Sequence, residues 1–209
     1  MARVLLATRN AKKLDELRRI LEPVVADLSL VGLDDVDPYD EVPESGLTFA
    51  ENALIKATEG AAHTGLPTIA DDSGLAVDAL NGMPGVFSAR WAGHHGQSQA
   101  ERDRANLDLL LAQIEDVPDV HRGASFVCVA ALALPGDRQL TVEGTMRGRL
   151  VRFARGGEGF GYDPIFVADG RSVTNAELRP AEKDEISHRG KAFRALAARL
   201  PALLTADAA

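Results

Sequence analysis

The spacing of apolar residues along the chain predicts alternating strands and helices. The apolar run over residues 4–7 predicts a buried strand, and residues 28–33 predict a second one. Between them, apolar residues recur at helical spacing, and Pro23 predicts the end of that helix. The positions that define this helical face are Leu14, Leu17, Ile20 and Leu21. The chain is therefore expected to begin with a strand, a helix and a second strand.

Three Ser/Thr-x-x-Glu sequences predict helix starts, because the two residues of such a pair cap each other's backbone N–H groups. They begin at Thr48, Ser98 and Thr174. The helix after Thr48 is expected to run to about His63. The helix after Ser98 places Leu107, Leu110, Leu111 and Ile114 on one face, and the last helix does so with Phe193, Leu196, Ala197 and Leu200.

A β-hairpin is predicted in the middle of the chain. Residues 124–134 and 139–145 read as strands on either side of Pro135-Gly136. A hairpin among strands that alternate with helices predicts an α/β fold with a mixed sheet. No segment marks a clean boundary between independent domains, so residues 1–209 are predicted to form a single domain. Its polar motifs are scattered along the whole chain, which favours two lobes around a central cleft.

Composition narrows the classes of function. The chain has 209 residues, of which 45% are hydrophobic and 26% charged, as in soluble globular proteins. The net charge of −8 argues against broad binding to nucleic-acid backbones, which needs a basic surface. The single cysteine, Cys128, fits a reducing compartment. No segment approaches the roughly 18 apolar residues of a membrane span, and the start lacks a signal-peptide pattern. We therefore expect a cytoplasmic protein.

The polar segment Thr8-Arg9-Asn10-Ala11-Lys12-Lys13 lies between the first predicted strand and helix. Such a turn presents backbone N–H groups and the positive end of a helix to an anion. Thr8 and Asn10 can add neutral hydrogen bonds, and Lys13 can add a positive charge. The segment is not a Walker A loop. An ordinary strand-to-helix turn with solvated lysines is the alternative.

The strongest chemical feature is Asp71-Asp72-Ser73-Gly74, which directly follows the apolar residues 68–70. Neighbours on a strand face opposite sides, so one carboxylate can be structural while the other points into a cleft. A carboxylate at a strand end is a common Mg²⁺ ligand in α/β proteins, and Mg²⁺ needs few protein ligands beside phosphate oxygens. A solvated acidic turn is the alternative. Glu44 and Glu51 are both candidates for a second carboxylate. The capping sequence favours a structural function for Glu51, and Glu44 could be only solvated, so the sequence does not decide between them.

Two further motifs carry groups that suit a nucleotide. Phe160-Gly161-Tyr162-Asp163-Pro164 follows several glycines, which permit close approach of the backbone to a ligand, and an aromatic ring can stack on a base. Ile186-Ser187-His188-Arg189-Gly190 opens the last helix, with Lys183 upstream, and supplies donors for a carbonyl or a phosphate. A glycine hinge with core aromatic residues and a helix start with exposed charges are the alternatives.

In this order, the motifs resemble the inosine triphosphate pyrophosphatase family. The matching segments are Thr8-x-Asn10-x-x-Lys13, Glu44-x-Gly46, Thr48-Phe-x-Glu-Asn-Ala-x-x-Lys56-Ala, Ala70-Asp-Asp-Ser-Gly-Leu, Pro84-Gly-Val-x-Ser-Ala-Arg90, Gly159-Phe-Gly-Tyr-Asp-Pro and Ile186-Ser-His-Arg-Gly. Each motif is weak alone, but the ordered set spans nearly the full chain and is highly specific. Arg9 and Lys12 depart from the small residues that many members have, and Trp91 stands where tyrosine is common.

The resemblance implies a role for each matching residue. Asp72 would bind Mg²⁺ and accept a proton, and Glu44 would be the other metal-side carboxylate. Thr8–Lys13 and Lys56 would bind the triphosphate, with Lys13 and Lys56 stabilising the departing pyrophosphate, and Ser73 would contact the substrate. The residues expected to bind the nucleotide, chiefly its base, are Phe160, Gly161, Tyr162, Asp163, Lys183, His188 and Arg189. The resemblance also implies an elongated mixed sheet flanked by helices, an active-site cleft between two lobes, and a homodimer.

The activity that the resemblance implies is hydrolysis of ITP, dITP and XTP to the monophosphate and pyrophosphate, which removes aberrant purines from the nucleotide pool. Arg189 offers only donors, so it suits the C6 carbonyl of hypoxanthine or xanthine and opposes the C6 amino group of adenine. Two alternatives stay open at this point. One is a Maf-like pyrophosphatase for modified pyrimidine or methylated nucleotides, and the other is a nucleotide-binding regulator without catalysis.

Overall fold

The computed structural model describes residues 2–23, 28–40, 42–93 and 98–205. The strands in these ranges are Ala2–Leu6 (β1), Leu28–Val31 (β2), Thr68–Val77 (β3), Gly123–Ala133 (β4), Gln139–Leu150 (β5) and Phe166–Ala168 (β6). The α-helices in the same ranges are Ala11–Leu21 (α1), Phe49–Thr64 (α2), Gln99–Gln113 (α3), Pro180–Ile186 (α4), His188–Ala197 (α5) and Leu200–Thr205 (α6). None of these helices is both long and apolar enough to cross a membrane.

The six strands form one sheet in the order β2-β1-β3-β4-β5-β6. β1 pairs in parallel with β2 and with β3, whereas β5 and β6 are antiparallel. β4 and β5 are neighbours in the sheet, and the Leu134 N–H donates to the carbonyl of Arg138 across the turn between them. The mixed α/β sheet and the central hairpin are therefore confirmed.

Helix starts follow the capping sequences. Thr48 Oγ1 accepts a hydrogen bond from the Glu51 N–H at 3.2 Å, and the Glu51 carboxylate accepts from the Thr48 N–H at 2.9 Å. Ser98 and Glu101 cap α3 in the same way. Thr174 differs, because it opens only the short 3-10 helix Asn175–Glu177. The chain is extended again at Arg179, the residue before Pro180, where proline disfavours helical backbone.

The prediction that Asp71-Asp72 lies at a strand end is wrong. β3 continues through both carboxylates to Val77. Leu75 and Val77 are fully buried beyond them, so apolar packing extends the strand past the charged pair. β2 is shorter than predicted, since it ends at Val31 and the 3-10 helix Leu33–Asp35 follows.

The residues group into two compact units, each built from separate segments of the chain. Unit 1 contains the residues up to Asp72, Cys128–Gly144 and the residues from His188 on, and unit 2 contains Ser73–Val127 and Thr145–Ser187. Three strands, β3, β4 and β5, pass from one unit into the other. The single two-lobed domain with a central cleft stays a prediction.

Strand alternation divides the core of unit 1 in two. Val4, Leu6 and Ile69 pack with α1 and α5 in one apolar cluster. Leu5 and Ala70, their neighbours in the strands, pack with α2 in a second cluster. The core of unit 2 includes Leu107 and Leu110 of α3. Consecutive residues of β3 therefore face different helices, which decides where Asp71 and Asp72 point.

Candidate active site

The segment between β1 and α1 folds as a capped strand-to-helix turn. Asn10 is the N-cap of α1, and its Oδ1 accepts from the Lys13 N–H at 3.2 Å. The Asn10 N–H in turn points to Thr8 Oγ1 at 3.3 Å. Ala11 is exposed in the first turn. The turn therefore presents a helix amino terminus with polar side chains, as the sequence predicts.

Arg9 points from this turn to Tyr39, which lies between the 3-10 helix Leu33–Asp35 and α2. Its guanidinium donates to the carbonyl of Tyr39 at 2.8 Å and lies 5.9 Å from the centre of the Tyr39 ring. The Tyr39 ring stacks on His63 at 4.9 Å. Arg9 thereby links the turn to the segment that leads to Glu44. The side chain of Lys12 lies outside the described residues.

Asp71 faces α1 and α5 and lies at the centre of a buried charge cluster. Lys13 Nζ is 3.0 Å from Asp71 Oδ2, and Arg189 Nε is 3.5 Å from the same oxygen. The Arg189 guanidinium also pairs with Glu16, and both side chains are at most 4% exposed. Burial by itself raises the pKa of Asp71, but the charges of Lys13, Arg189 and Lys56 outweigh it and hold the pKa well below its usual value. The cations around Asp71 therefore favour its charged form.

Asp72 faces α2 and has a different environment. Its Oδ2 accepts from Asn52 Nδ2 at 3.0 Å, and its Oδ1 lies 3.8 Å from Lys56 Nζ. Lys56 also donates to Glu44 Oε1 at 2.7 Å. Burial raises the pKa of Asp72, Lys56 lowers it and Glu44 raises it, and the net shift is upward. Two adjacent carboxylates of one strand therefore have opposite pKa shifts, because more positive charge surrounds Asp71 and Glu44 lies near Asp72.

Glu51 has a structural function in the capping of α2. Its carboxylate accepts from the N–H groups of Leu47 at 2.7 Å and Thr48 at 2.9 Å. Glu44 instead shares Lys56 with Asp72. This difference favours Glu44 as the second carboxylate beside Asp72.

Unit 2 holds a second polar cluster, centred on Asp163. Asp163 Oδ2 accepts from Lys183 Nζ at 2.7 Å and from the Phe160 N–H at 3.0 Å, and Oδ1 accepts from Asn175 Nδ2 at 3.2 Å. Lys183 Nζ also lies 5.0 Å from the centre of the Phe160 ring. Gly159 is required here, because a Cβ at this position would lie 2.3 Å from Asp163 Oδ2. Residues 156–162, the glycine-rich loop, thus fold closely around the buried carboxylate of Asp163.

The other predicted residues lie in these same elements. Tyr162 is buried, and its hydroxyl donates to the carbonyl of Ser88 at 2.9 Å. Ser73 is half-buried in β3 of unit 2, and His188 is buried as the first residue of α5 in unit 1. The predicted phosphate and metal residues are thus in unit 1 except for Ser73, and Phe160, Gly161, Tyr162, Asp163 and Lys183 are together in unit 2.

The chain matches a known protein family over most of its length. The model of the Ham1 family matches residues 4–199. The chain belongs to the Ham1 family. A relative from Nocardia farcinica named dITP/XTP pyrophosphatase is 62% identical over 97% of this chain and 95% of its own length. A Frankia alni relative of the same name is 58% identical over 97% of this chain and 99% of its own.

Solved structures of Ham1 family proteins share the fold. A HAM1 protein from Coxiella burnetii superposes with a TM-score of 0.85 at 41% identity, covering 96% of this chain and 99% of that one. A nucleoside-triphosphatase / dITP/XTP pyrophosphatase from Mycobacterium abscessus gives a TM-score of 0.74 at 56% identity, covering 93% and 98%. The mixed α/β fold expected from the resemblance is therefore shown.

Three residues of these clusters in this Ham1 family member were not predicted from the sequence. Asn52 binds Asp72, Glu16 binds Arg189, and Asn175 binds Asp163. Asn52 lies four positions before Lys56 on α2, so helical spacing alone could have placed it on the same face. Glu16 lies three positions after Lys13 and could have been found in the same way. Asn175 carries no such signal.

Proposed function

We propose that this chain hydrolyses ITP, dITP and XTP to the nucleoside monophosphate and pyrophosphate, with Mg²⁺ as cofactor. The observation that carries the proposal is Asp72, a buried carboxylate with a raised pKa, held by an amide donor and a lysine. Relatives that are named dITP/XTP pyrophosphatase match nearly the whole chain, which supports the substrate class.

Glu44 and Asp72 support a site for Mg²⁺. The negative charge of Glu44 contributes to the raised pKa of Asp72, and both carboxylates lie within reach of the same ammonium group. A divalent cation would relieve this repulsion, and carboxylate oxygens are the ligands that Mg²⁺ prefers. In the described part of the chain, no three His, Cys, Asp or Glu side chains gather closely enough to hold a metal ion. That pattern fits Mg²⁺, which keeps several waters and takes the rest of its ligands from phosphates.

Different residues of unit 1 have different roles in phosphoanhydride cleavage. When bound, Mg²⁺ would neutralise phosphate charge and orient the triphosphate. Water attacks the α-phosphorus and the α–β phosphoanhydride bond breaks, while Asp72 accepts the proton of the water at Oδ1. Asn52 holds Oδ2 and so orients the carboxylate. Lys13 and Lys56 now face carboxylates, and they would exchange these partners for the departing pyrophosphate. The β1–α1 turn supplies backbone donors for the same anion.

The base is assigned to the glycine-rich loop and Lys183, which lie together in unit 2. Phe160 would stack on the purine without distinguishing one purine from another. Lys183 is held by Asp163 beside the Phe160 ring, so it offers its remaining donors to a carbonyl at C6. Adenine would place a donor against these donors, and an unpaired buried polar group costs about 1–3 kcal/mol.

The test is release of pyrophosphate from ITP, dITP and XTP with Mg²⁺, against ATP, GTP and modified pyrimidine nucleotides. We expect Asp72→Asn to keep the fold and to lose at least about a hundredfold in turnover, the contribution of a positioned general base. Glu59→Gln, on the exposed surface of α2, is the matched control and should keep wild-type turnover. Preference for modified pyrimidines would favour a Maf-like enzyme, and nucleotide binding without pyrophosphate release would favour a regulator.

We also propose a cytoplasmic homodimer. The support is the family resemblance and a single cysteine that is fully buried, as suits a reducing compartment. Light scattering at micromolar concentration should give about twice 22.2 kDa. A mass of one chain throughout that range would reject the dimer.

A further inference from the structure

One face of α3 contacts two loops of unit 2. Asp103 and Asn106 are three positions apart on this helix, so they project from the same face. Asp103 Oδ2 accepts from the Gly161 N–H at 3.1 Å. Asn106 accepts from the Ala92 N–H at 2.7 Å and donates to the carbonyl of Ala89 at 3.1 Å. Neither side chain takes part in the proposed chemistry.

Asp103 reaches the glycine-rich loop from outside. Two other contacts hold the loop. The N–H groups of Gly157 and Glu158 donate to the carbonyl of Ala176, and the Phe160 N–H donates to Asp163 Oδ2. Gly161 has a φ of +59°, a backbone conformation that favours glycine, and in this conformation its N–H points to Asp103 of α3. Gln99 Nε2 donates to Asp103 Oδ1 at 2.7 Å, so the orientation of the carboxylate is itself fixed.

A second connection runs through Asn106. This side chain is buried and secures the backbone at both Ala89 and Ala92, at the end of the 3-10 helix Gly85–Arg90. Ser88 in that helix accepts the Tyr162 hydroxyl through its carbonyl. Tyr162 follows Gly161 directly, so α3 supports two neighbouring residues of the loop, one directly and one through the 3-10 helix.

We propose that Asp103 is a positioning residue for purine recognition. It fixes the backbone at Gly161 and thereby the positions of Phe160 and of the Asp163–Lys183 pair. Asn106 holds the end of the 3-10 helix whose Ser88 carbonyl accepts the Tyr162 hydroxyl. The inference rests on the proposed function, because it takes the glycine-rich loop as the base-binding element. It assigns to Asp103 an effect on binding of the base and none on the phosphate chemistry of unit 1.

The first experiment measures how well the backbone of the glycine-rich loop is protected from exchange. Amide hydrogen exchange of a peptide covering residues 156–162 is measured without substrate in wild type, Asp103→Ala and Asp108→Ala. Asp108 is the matched control, since it is an exposed carboxylate on the same helix that pairs with Arg104 at 2.7 Å. We expect exchange to accelerate about tenfold or more in Asp103→Ala, the loss of one hydrogen bond to a charged group, and to stay unchanged in Asp108→Ala. Unchanged exchange in Asp103→Ala would overturn the inference whether or not the chain hydrolyses ITP.

The second experiment separates base binding from catalysis. We expect Asp103→Ala to raise KM for ITP about tenfold with kcat within about twofold, and to leave inhibition by inorganic tripolyphosphate unchanged. Asp103→Asn keeps an oxygen acceptor and should recover part of the KM. An equal loss of kcat and of tripolyphosphate inhibition would show general damage to the fold and would overturn the positioning role, as would an unchanged KM. A wild-type chain that hydrolyses no ITP would instead reject the proposed function, and the exchange result would still stand.

Discussion

The buried pairing of Arg189 gives a sharp prediction about stability. Its guanidinium contacts Glu16 and Asp71, and all these side chains are at most 4% exposed. Arg189→Met keeps most of the side-chain volume but leaves two buried carboxylates with less positive charge. Removing one partner of a buried ion pair costs about 3–5 kcal/mol, so we expect the free energy of unfolding to fall by about that amount.

The assay is urea unfolding followed by circular dichroism, with Arg194→Met as the control. Arg194 is an exposed arginine of the same helix, and its replacement should change the free energy of unfolding by no more than about 0.5 kcal/mol. Adding Glu16→Gln to Arg189→Met removes one of the stranded charges, so the double variant should be more stable than Arg189→Met alone. A loss below about 1 kcal/mol in Arg189→Met would refute the assignment of Arg189 to the charge cluster.

The same variant tests the role predicted from the sequence. An arginine that contacts the C6 carbonyl would discriminate ITP from ATP, so its loss would narrow the ratio of the two kcat/KM values. An arginine that holds Asp71 and Glu16 would affect both substrates alike. The carboxylate contacts of Arg189 lead us to expect an unchanged ratio. A smaller ratio of kcat/KM for ITP to kcat/KM for ATP would indicate instead that Arg189 contacts the purine base.

Three more predictions concern single residues. Gly159→Ala should lower the Tm by several degrees, because its φ of +75° disfavours other residues and the new Cβ would clash with Asp163. Gly170→Ala is the control and should lower the Tm less, because Gly170 has a similar φ but no atom close to the position of a Cβ. Arg122→Met should cost about 2–4 kcal/mol in urea, because the buried guanidinium donates to the Ile114 and Leu150 carbonyls. Cys128 is fully buried and burial raises its pKa, so a thiol reagent should modify it no faster than the protein unfolds; rapid reaction in buffer would contradict this.

Local signals in the sequence predicted local structure well. The capping pairs at Thr48 and Ser98 gave the starts of α2 and α3, and turn residues gave the central hairpin. Strand alternation predicted that Asp71 and Asp72 face different surroundings, and they do. The extent of β3 was wrong because buried charges interrupt the apolar pattern without ending the strand.

Contacts between distant segments could not be predicted in this way. Arg189 pairs with Glu16 across 173 positions, and Asp103 meets Gly161 across 58. Periodicity assigns a residue to a face of its own element but does not say which element covers that face. The choice between Glu44 and Glu51 needed the same long-range information. The capping sequence already predicted that Glu51 caps α2, but only the fold shows that Glu44 shares Lys56 with Asp72.

The late position of Arg189 in the chain affects how the protein forms during synthesis. Asp71 and Glu16 leave the ribosome long before Arg189 of α5, which lies 118 residues after Asp71. Until α5 arrives, these carboxylates lack the guanidinium that offsets the cost of their burial, so their burial is less favourable than in the folded protein. All segments of unit 2 are translated before His188. A chain interrupted before α5 therefore lacks the guanidinium that Asp71 and Glu16 share in the folded protein.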